Sequence, residues 1–207
     1  MSKSLPILVA TLAMACAAQT QAASAIDLSV SGLITPSACE LNLANGGQFE
    51  VGKIASKDLY PEQPTDLPSM TTALTVTCEA ATLVAIETQD NRAGSAYFDD
   101  AQSLGLGLIN GNQKLGNMYV VLRSILADGD SGYGIHSNDG GLTWNTGGYF
   151  RNGGLVSIYK ASPLMPVPVQ VLTASMQIDA AIAPSKNLTL TSEVPIDGSA
   201  TLTVRYL

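Results

Sequence analysis

Apolar and polar residues alternate with period two in short runs along much of the chain. In Gly198-Ser-Ala-Thr-Leu-Thr-Val-Arg-Tyr-Leu207, Ala200, Leu202, Val204 and Tyr206 share one parity and Thr201, Thr203 and Arg205 the other. That is the signature of a half-buried β-strand. Ala25-Ile-Asp-Leu-Ser-Val-Ser-Gly-Leu-Ile34 repeats it, with Ile26, Leu28 and Val30 on one side and Asp27, Ser29 and Ser31 on the other. Gly32 takes the parity of the apolar side, where a missing side chain permits close backbone approach. Further strands are predicted at 39–43, at 48–52 after an Asn45-Gly46-Gly47 turn, and at 73–78, 82–87, 117–123, 167–171, 176–182 and 188–191, with a glycine-rich stretch over 104–112. Pro61, Pro64 and Pro68 make 56–69 a surface loop, and Pro163, Pro166 and Pro168 confine the chain before 169 to an edge or loop. The pattern is that of an all-β domain with frequent turns.

Composition narrows the class. With 207 residues, 46% hydrophobic and 13% charged, the chain suits one globular domain with a substantial core. Ten Lys+Arg against seventeen Asp+Glu leave no clustered positive charge for a phosphate backbone, so no nucleic-acid partner is expected. The first residues read as a secretory signal peptide: Lys3, an apolar run over 5–18, and a small-residue zone cut after Ala22 or after Ala25. The apolar run falls short of the roughly twenty residues that span a bilayer, and no later span is predicted. A lipoprotein reading through Cys16 has Ala13 where a larger aliphatic residue is expected. Removal of the signal leaves Cys39 and Cys78, in an exported chain most simply one disulfide, with two free buried thiols as the alternative. A closed loop of this length stabilises by roughly 4 kcal/mol on chain-entropy grounds.

Three stretches carry a resemblance: Val30-Ser-Gly-Leu-Ile-Thr-Pro-Ser-Ala-Cys39, Ala73-Leu-Thr-Val-Thr-Cys78, and Ser199-Ala-Thr-Leu-Thr-Val-Arg-Tyr-Leu207. In this order, behind an export signal, the chain resembles a chaperone–usher fimbrial (pilin) subunit. It looks more like the GltF-like fimbrial-like group than the major pilins. The resemblance covers both ends and roughly residues 28–98. It implies an incomplete immunoglobulin-like sandwich over 35–207 that lacks its last strand, preceded by an N-terminal donor arm over 23–34. By the same resemblance Ile26, Leu28, Val30 and Gly32 would be donor residues, and Ala200, Leu202, Val204 and Tyr206 the edge that a chaperone takes up. The implied partners are a periplasmic chaperone, an outer-membrane usher and other fimbrial subunits, of the same or a sibling type. The implied role is that of a structural subunit of a surface fimbria that contributes to cell adhesion. Two features depart from the family pattern. Val194 stands where a glycine is usual, with Gly198 nearer the end, and the arm is short, so a minor, terminal or non-polymerising role stays open.

The middle of the chain offers little chemistry. Asp128, Asp130 and Asp139 suggest a calcium loop, but Gly132 and Tyr133 break the ligand spacing. Ser137-Asn-Asp-Gly-Gly-Leu-Thr-Trp144 fits the Asp-box pattern and predicts a hairpin turn, with Asp139 bonding the turn backbone and Trp144 packed beneath it. Trp144, Tyr149 and Phe150 lie amid glycines and form a candidate sugar-stacking patch. This leaves a second reading, a soluble periplasmic or surface carbohydrate-binding module that does not polymerise. The single His136 falls in a Gly/Ser/Asn loop with no evident base–nucleophile partner, so no catalysis, cofactor or metal is expected.

Overall fold

The computed structural model describes Ser29 and residues 38–207. The chain separates after Ile34. The predicted signal segment and the donor residues Ile26, Leu28, Val30 and Gly32 lie outside the described residues. The strands are β1 (Cys39–Leu43), β2 (Thr65–Asp66), β3 (Met70–Thr82), β4 (Val84–Asp90), β5 (Leu104–Gly105), β6 (Leu108–Ile109) and β7 (Gln113–Lys114). They continue as β8 (Gly116–Ala127), β9 (Asp130–Ser131), β10 (Tyr133–Ser137), β11 (Asn145–Thr146), β12 (Leu155–Tyr159), β13 (Val169–Ile182) and β14 (Ala200–Tyr206).

They form an all-β sandwich of antiparallel sheets that does not close into a barrel. One sheet runs β1-β3-β13-β8-β5, with β2 added to β13 and β9 to β8. The other runs β11-β10-β12-β4-β14, and β6 and β7 make a separate ribbon. Alternation fills the space between them. Leu74 and Val76 of β3, Met176 and Ile178 of β13, and Ile86, Val156 and Ile158 from the second sheet share one buried cluster. β8 departs from strict alternation. Val121 is buried as well as Val120 and Leu122, and at this point the backbone of Tyr149 bridges to Val121 beside the strand.

Cys39 and Cys78 stand directly opposite in the β1–β3 register and are joined as a disulfide, which closes the free-thiol alternative. Several predicted elements differ in outcome. The glycine-rich 104–109 stretch carries two short strands, β5 and β6, with Gly107 between them at a φ of 91°. His136 is not in a loop but in β10, buried, with its Nδ1 3.0 Å from the carbonyl of Gly147. Residues 48–52 and 188–191 are not strands: their apolar side chains pack toward the core, yet no neighbouring backbone ladders with them.

Candidate functional site

The two sheets each end on one side at an edge, β1 in the first and β14 in the second. Hydrogen-bond parity shows which backbone groups these edges present. Asn91 N–H donates to the carbonyl of Ser199, and Leu207 N–H to that of Leu83. The odd-numbered residues of β14 therefore bond β4, and the N–H and C=O of Ala200, Leu202, Val204 and Tyr206 point away from it. In β1 the bonds Ala44 N–H to Ala73 and Glu79 N–H to Ala38 give the even residues to β3, which leaves Cys39, Leu41 and Leu43 pointing outward. Among the described residues no strand pairs with either outer edge. The side chains of Ala200, Leu202 and Val204 are meanwhile half-buried against the core. Of the four residues predicted to form the docking edge, Ala200, Leu202 and Val204 combine inward side chains with backbone groups that no strand pairs, whereas the Tyr206 side chain is exposed.

Between the edges runs a groove of about 1680 Å³ with an apolar floor and walls of mixed character. One side is lined by Leu41, Leu43, Phe49, Val51 and Ile54, the other by Leu190, Val194, Ile196, Ala200 and Leu202. Buried core side chains, Leu104, Leu106, Met118, Phe150 and Met176 among them, make the floor. Residues 48–54 and 190–198 are walls without a ladder, which is why their alternation yields no strand. At Gly198 the wall lies close against the floor. A Cβ there would stand 2.7 Å from Leu106 Cδ2 and 3.3 Å from Met118 Sδ, so the wall touches the floor only because this side chain is absent.

Polar contacts hold the walls in place. At one end Cys39 N–H donates to Tyr206 Oη at 3.0 Å, next to the disulfide. Further along, Lys53 Nζ meets Glu193 Oε1 at 3.0 Å, with both side chains almost fully exposed, a pair worth little in stability. Arg92 grips Asp197 with two bonds, Nε to Oδ2 at 2.9 Å and Nη2 to Oδ1 at 2.8 Å, while Asp197 N–H donates to Leu106 O. These hydrogen bonds, with the opposite charge, lower the Asp197 carboxyl pKa and raise that of Arg92. At sequence separations of 105 and 140, neither ion pair has a local signal in the sequence.

The three aromatic residues of the candidate sugar patch are not brought together. Trp144 is half-buried, with Nε1–H donating to Gly141 O in the hairpin. Tyr149 bridges Val121, and Phe150 is fully buried on the groove floor. The Asp-box stretch is a hairpin turn between β10 and β11. Asp139 accepts from Ser137 Oγ at 2.7 Å and from Thr143 N–H at 2.9 Å, and Thr143 Oγ1 donates to its second oxygen. Those donors hold its carboxyl far below the usual range. The other acidic residues of this region are occupied separately: Asp128 accepts from Gln170 and Val171 N–H, and Asp130 pairs with Lys160. Among the described residues no three acidic, His or Cys side chains gather for a metal.

A groove between two unsatisfied edges can take an extended segment, bonding it by backbone and seating alternate side chains. The family described as "Protein of unknown function (DUF1120)" matches residues 28–123. Protein GltF of Escherichia coli (strain K12) is 27% identical over an alignment of 232 positions, covering 87% of this chain and 88% of GltF. Uncharacterized protein YhcF of the same strain is 25% identical over 226 positions, covering 92% of this chain and 94% of YhcF. The chain is thus similar to GltF and YhcF along most of its length.

Proposed function

We propose that the protein is a structural subunit of a surface fimbria, assembled by the chaperone–usher route through donor-strand complementation and contributing to cell adhesion. The observation that carries this reading is the apolar-floored groove flanked by the outward backbone groups of Leu41 and Leu43 on β1 and of Ala200, Leu202 and Val204 on β14. An exposed strand edge beside apolar side chains is an aggregation hazard unless another segment covers it. A periplasmic chaperone covers it first, and the 23–34 arm of a same or sibling subunit replaces the chaperone at an outer-membrane usher. In that step Ile26, Leu28 and Val30 enter the groove, each contributing roughly 1.5–3 kcal/mol on burial, and Gly32 passes where space is least. The Cys39–Cys78 disulfide is the kind of cross-link that persists in an oxidising compartment, and among the described residues no helix is long and apolar enough to cross a membrane. Both accord with export to the periplasm and then the cell surface. The chain's work on this reading is binding, with no catalytic step.

The test is periplasmic expression with and without a cognate chaperone. Alone, the chain is expected to aggregate or be degraded; together, the two purify as a one-to-one complex that Val204→Asp abolishes. A stable, soluble monomer in the chaperone's absence would favour the non-polymerising binding module instead.

A further inference from the structure

We infer that the groove selects its occupant by the two-residue spacing of apolar side chains and not by their individual shapes, so that arms of differing sequence dock alike. This rests on the groove reading above and adds which occupants are admitted. Of the six methionines in the chain, Met1 and Met14 belong to the predicted signal segment. Three of the other four, Met70, Met118 and Met176, line the groove, and Met165 lies elsewhere, 59% exposed.

The strand register spreads these three across the floor. Met176 of β13 stands opposite Thr72 of β3 and Leu122 of β8. Two residues along β13, Ile178 stands opposite Met70 of β3 and Val120 of β8. Two further, Ala180 stands opposite Met118 of β8, which also pairs with Leu104 of β5. Each of three successive cross-strand rows therefore carries one methionine, on a different strand each time. Two residues of strand advance about 6.8 Å, and facing sheets of a sandwich keep their strand directions within about 30° of each other. An arm with three alternate anchors, as at Ile26, Leu28 and Val30, thus sets its side chains down at the interval at which the methionines recur.

Methionine is unbranched and turns about three side-chain bonds, so it fills irregular gaps, whereas β-branched residues are held to few rotamers. Met118 shows where such movement counts. Its Sδ and Cε lie 3.3 and 3.6 Å from where a Cβ on Gly198 would stand, at the foot of the wall that leads into β14. A floor that re-packs in this way takes a broad or a narrow side chain, as Met-rich binding surfaces do. A rigid apolar pocket behaves differently, since it separates ligands that differ by one methylene about 10–200-fold.

The full mature chain is refolded from denaturant with a labelled 23–34 peptide, in competition with unlabelled peptides. The permuted peptide Ile26→Leu/Leu28→Val/Val30→Ile keeps composition, apolar volume and spacing, and is expected to compete within about fivefold of the parent. Leu28→Ser/Ser29→Leu keeps composition but breaks the spacing, and is expected to compete more than about fivefold worse. On a chain carrying Met70→Leu/Met118→Leu/Met176→Leu, a volume-conserving change, the permuted peptide should fall more than about fivefold behind the parent. Met118→Leu alone decides this arm if the triple variant does not refold. A permuted peptide that loses more than about fivefold on the wild-type chain, a spacing variant that competes as well as the parent, or a leucine floor that discriminates no better overturns the inference and leaves the groove reading in place. If the parent peptide itself does not bind, the groove reading fails and this inference with it.

Discussion

The backbone N–H of Cys39 donates to the phenolic oxygen of Tyr206 at 3.0 Å, joining residues 167 positions apart and closing one end of the groove. An aromatic side chain at the end of an edge strand thus caps the first residue of the opposite edge. Tyr206→Phe keeps the ring and removes the acceptor, and is expected to cost about 1 kcal/mol in denaturant unfolding. An unchanged midpoint would mean that water replaces the bond without loss.

Replacing both cysteines by serine removes the covalent link between β1 and β3, which are otherwise joined along a five-residue register. Chain entropy predicts a loss of about 4 kcal/mol. Equilibrium unfolding of Cys39→Ser/Cys78→Ser checks this, and a loss below about 1 kcal/mol would show that the ladder alone holds the edge.

Two glycines should respond differently to alanine. At Gly134 a Cβ would stand 2.5 Å from Gly148 Cα and 2.7 Å from its nitrogen, both backbone atoms with nowhere to go. At Gly198 the obstacles are the side-chain ends of Leu106 and Met118, which can turn aside. Gly134→Ala should therefore cost about 3 kcal/mol and Gly198→Ala about 1–2 kcal/mol, by denaturation. The reverse order would contradict the described packing.

The Asp139 carboxyl is held below its ordinary value by Ser137 and Thr143. A group whose pKa is depressed on folding contributes stability that is fully present above the unfolded pKa, near 3.9, and is lost progressively as pH falls from there through the folded value, where the folded carboxyl itself takes up its proton. The hairpin should therefore stay intact from neutral pH down through the normal carboxylate range and loosen below it. The Thr143 amide reports this by NMR, and a shift centred near pH 4 would contradict the assignment.

The strands that sit inside a sheet were readable from parity alone, as 73–78 and 117–123 illustrate: they survive within β3 and β8. Both run longer than the alternation suggests, from Met70 to Thr82 in β3 and from Gly116 to Ala127 in β8. The same reading failed at 48–52 and 188–191, where the apolar spacing is real but the neighbour is absent. Periodicity reports which side a residue turns toward, not whether another backbone lies beside it. The edge strand β14 was legible because Ala200, Leu202 and Val204 alternate locally. The clasps Arg92–Asp197 and Lys53–Glu193 were not, since tertiary folding alone makes them adjacent. Phe150 shows the converse: its sequence neighbours suggest a surface patch, while its fully buried ring belongs to the groove floor.

The bond between Cys39 and Cys78 also bears on timing. It anchors β1 at the very residue whose N–H reaches across to Tyr206, so oxidation of the two thiols adds a covalent tie to one wall of the groove beside the β1–β3 ladder. If the proposed function holds, a chain still in a reducing compartment offers that groove with one wall less firmly fixed.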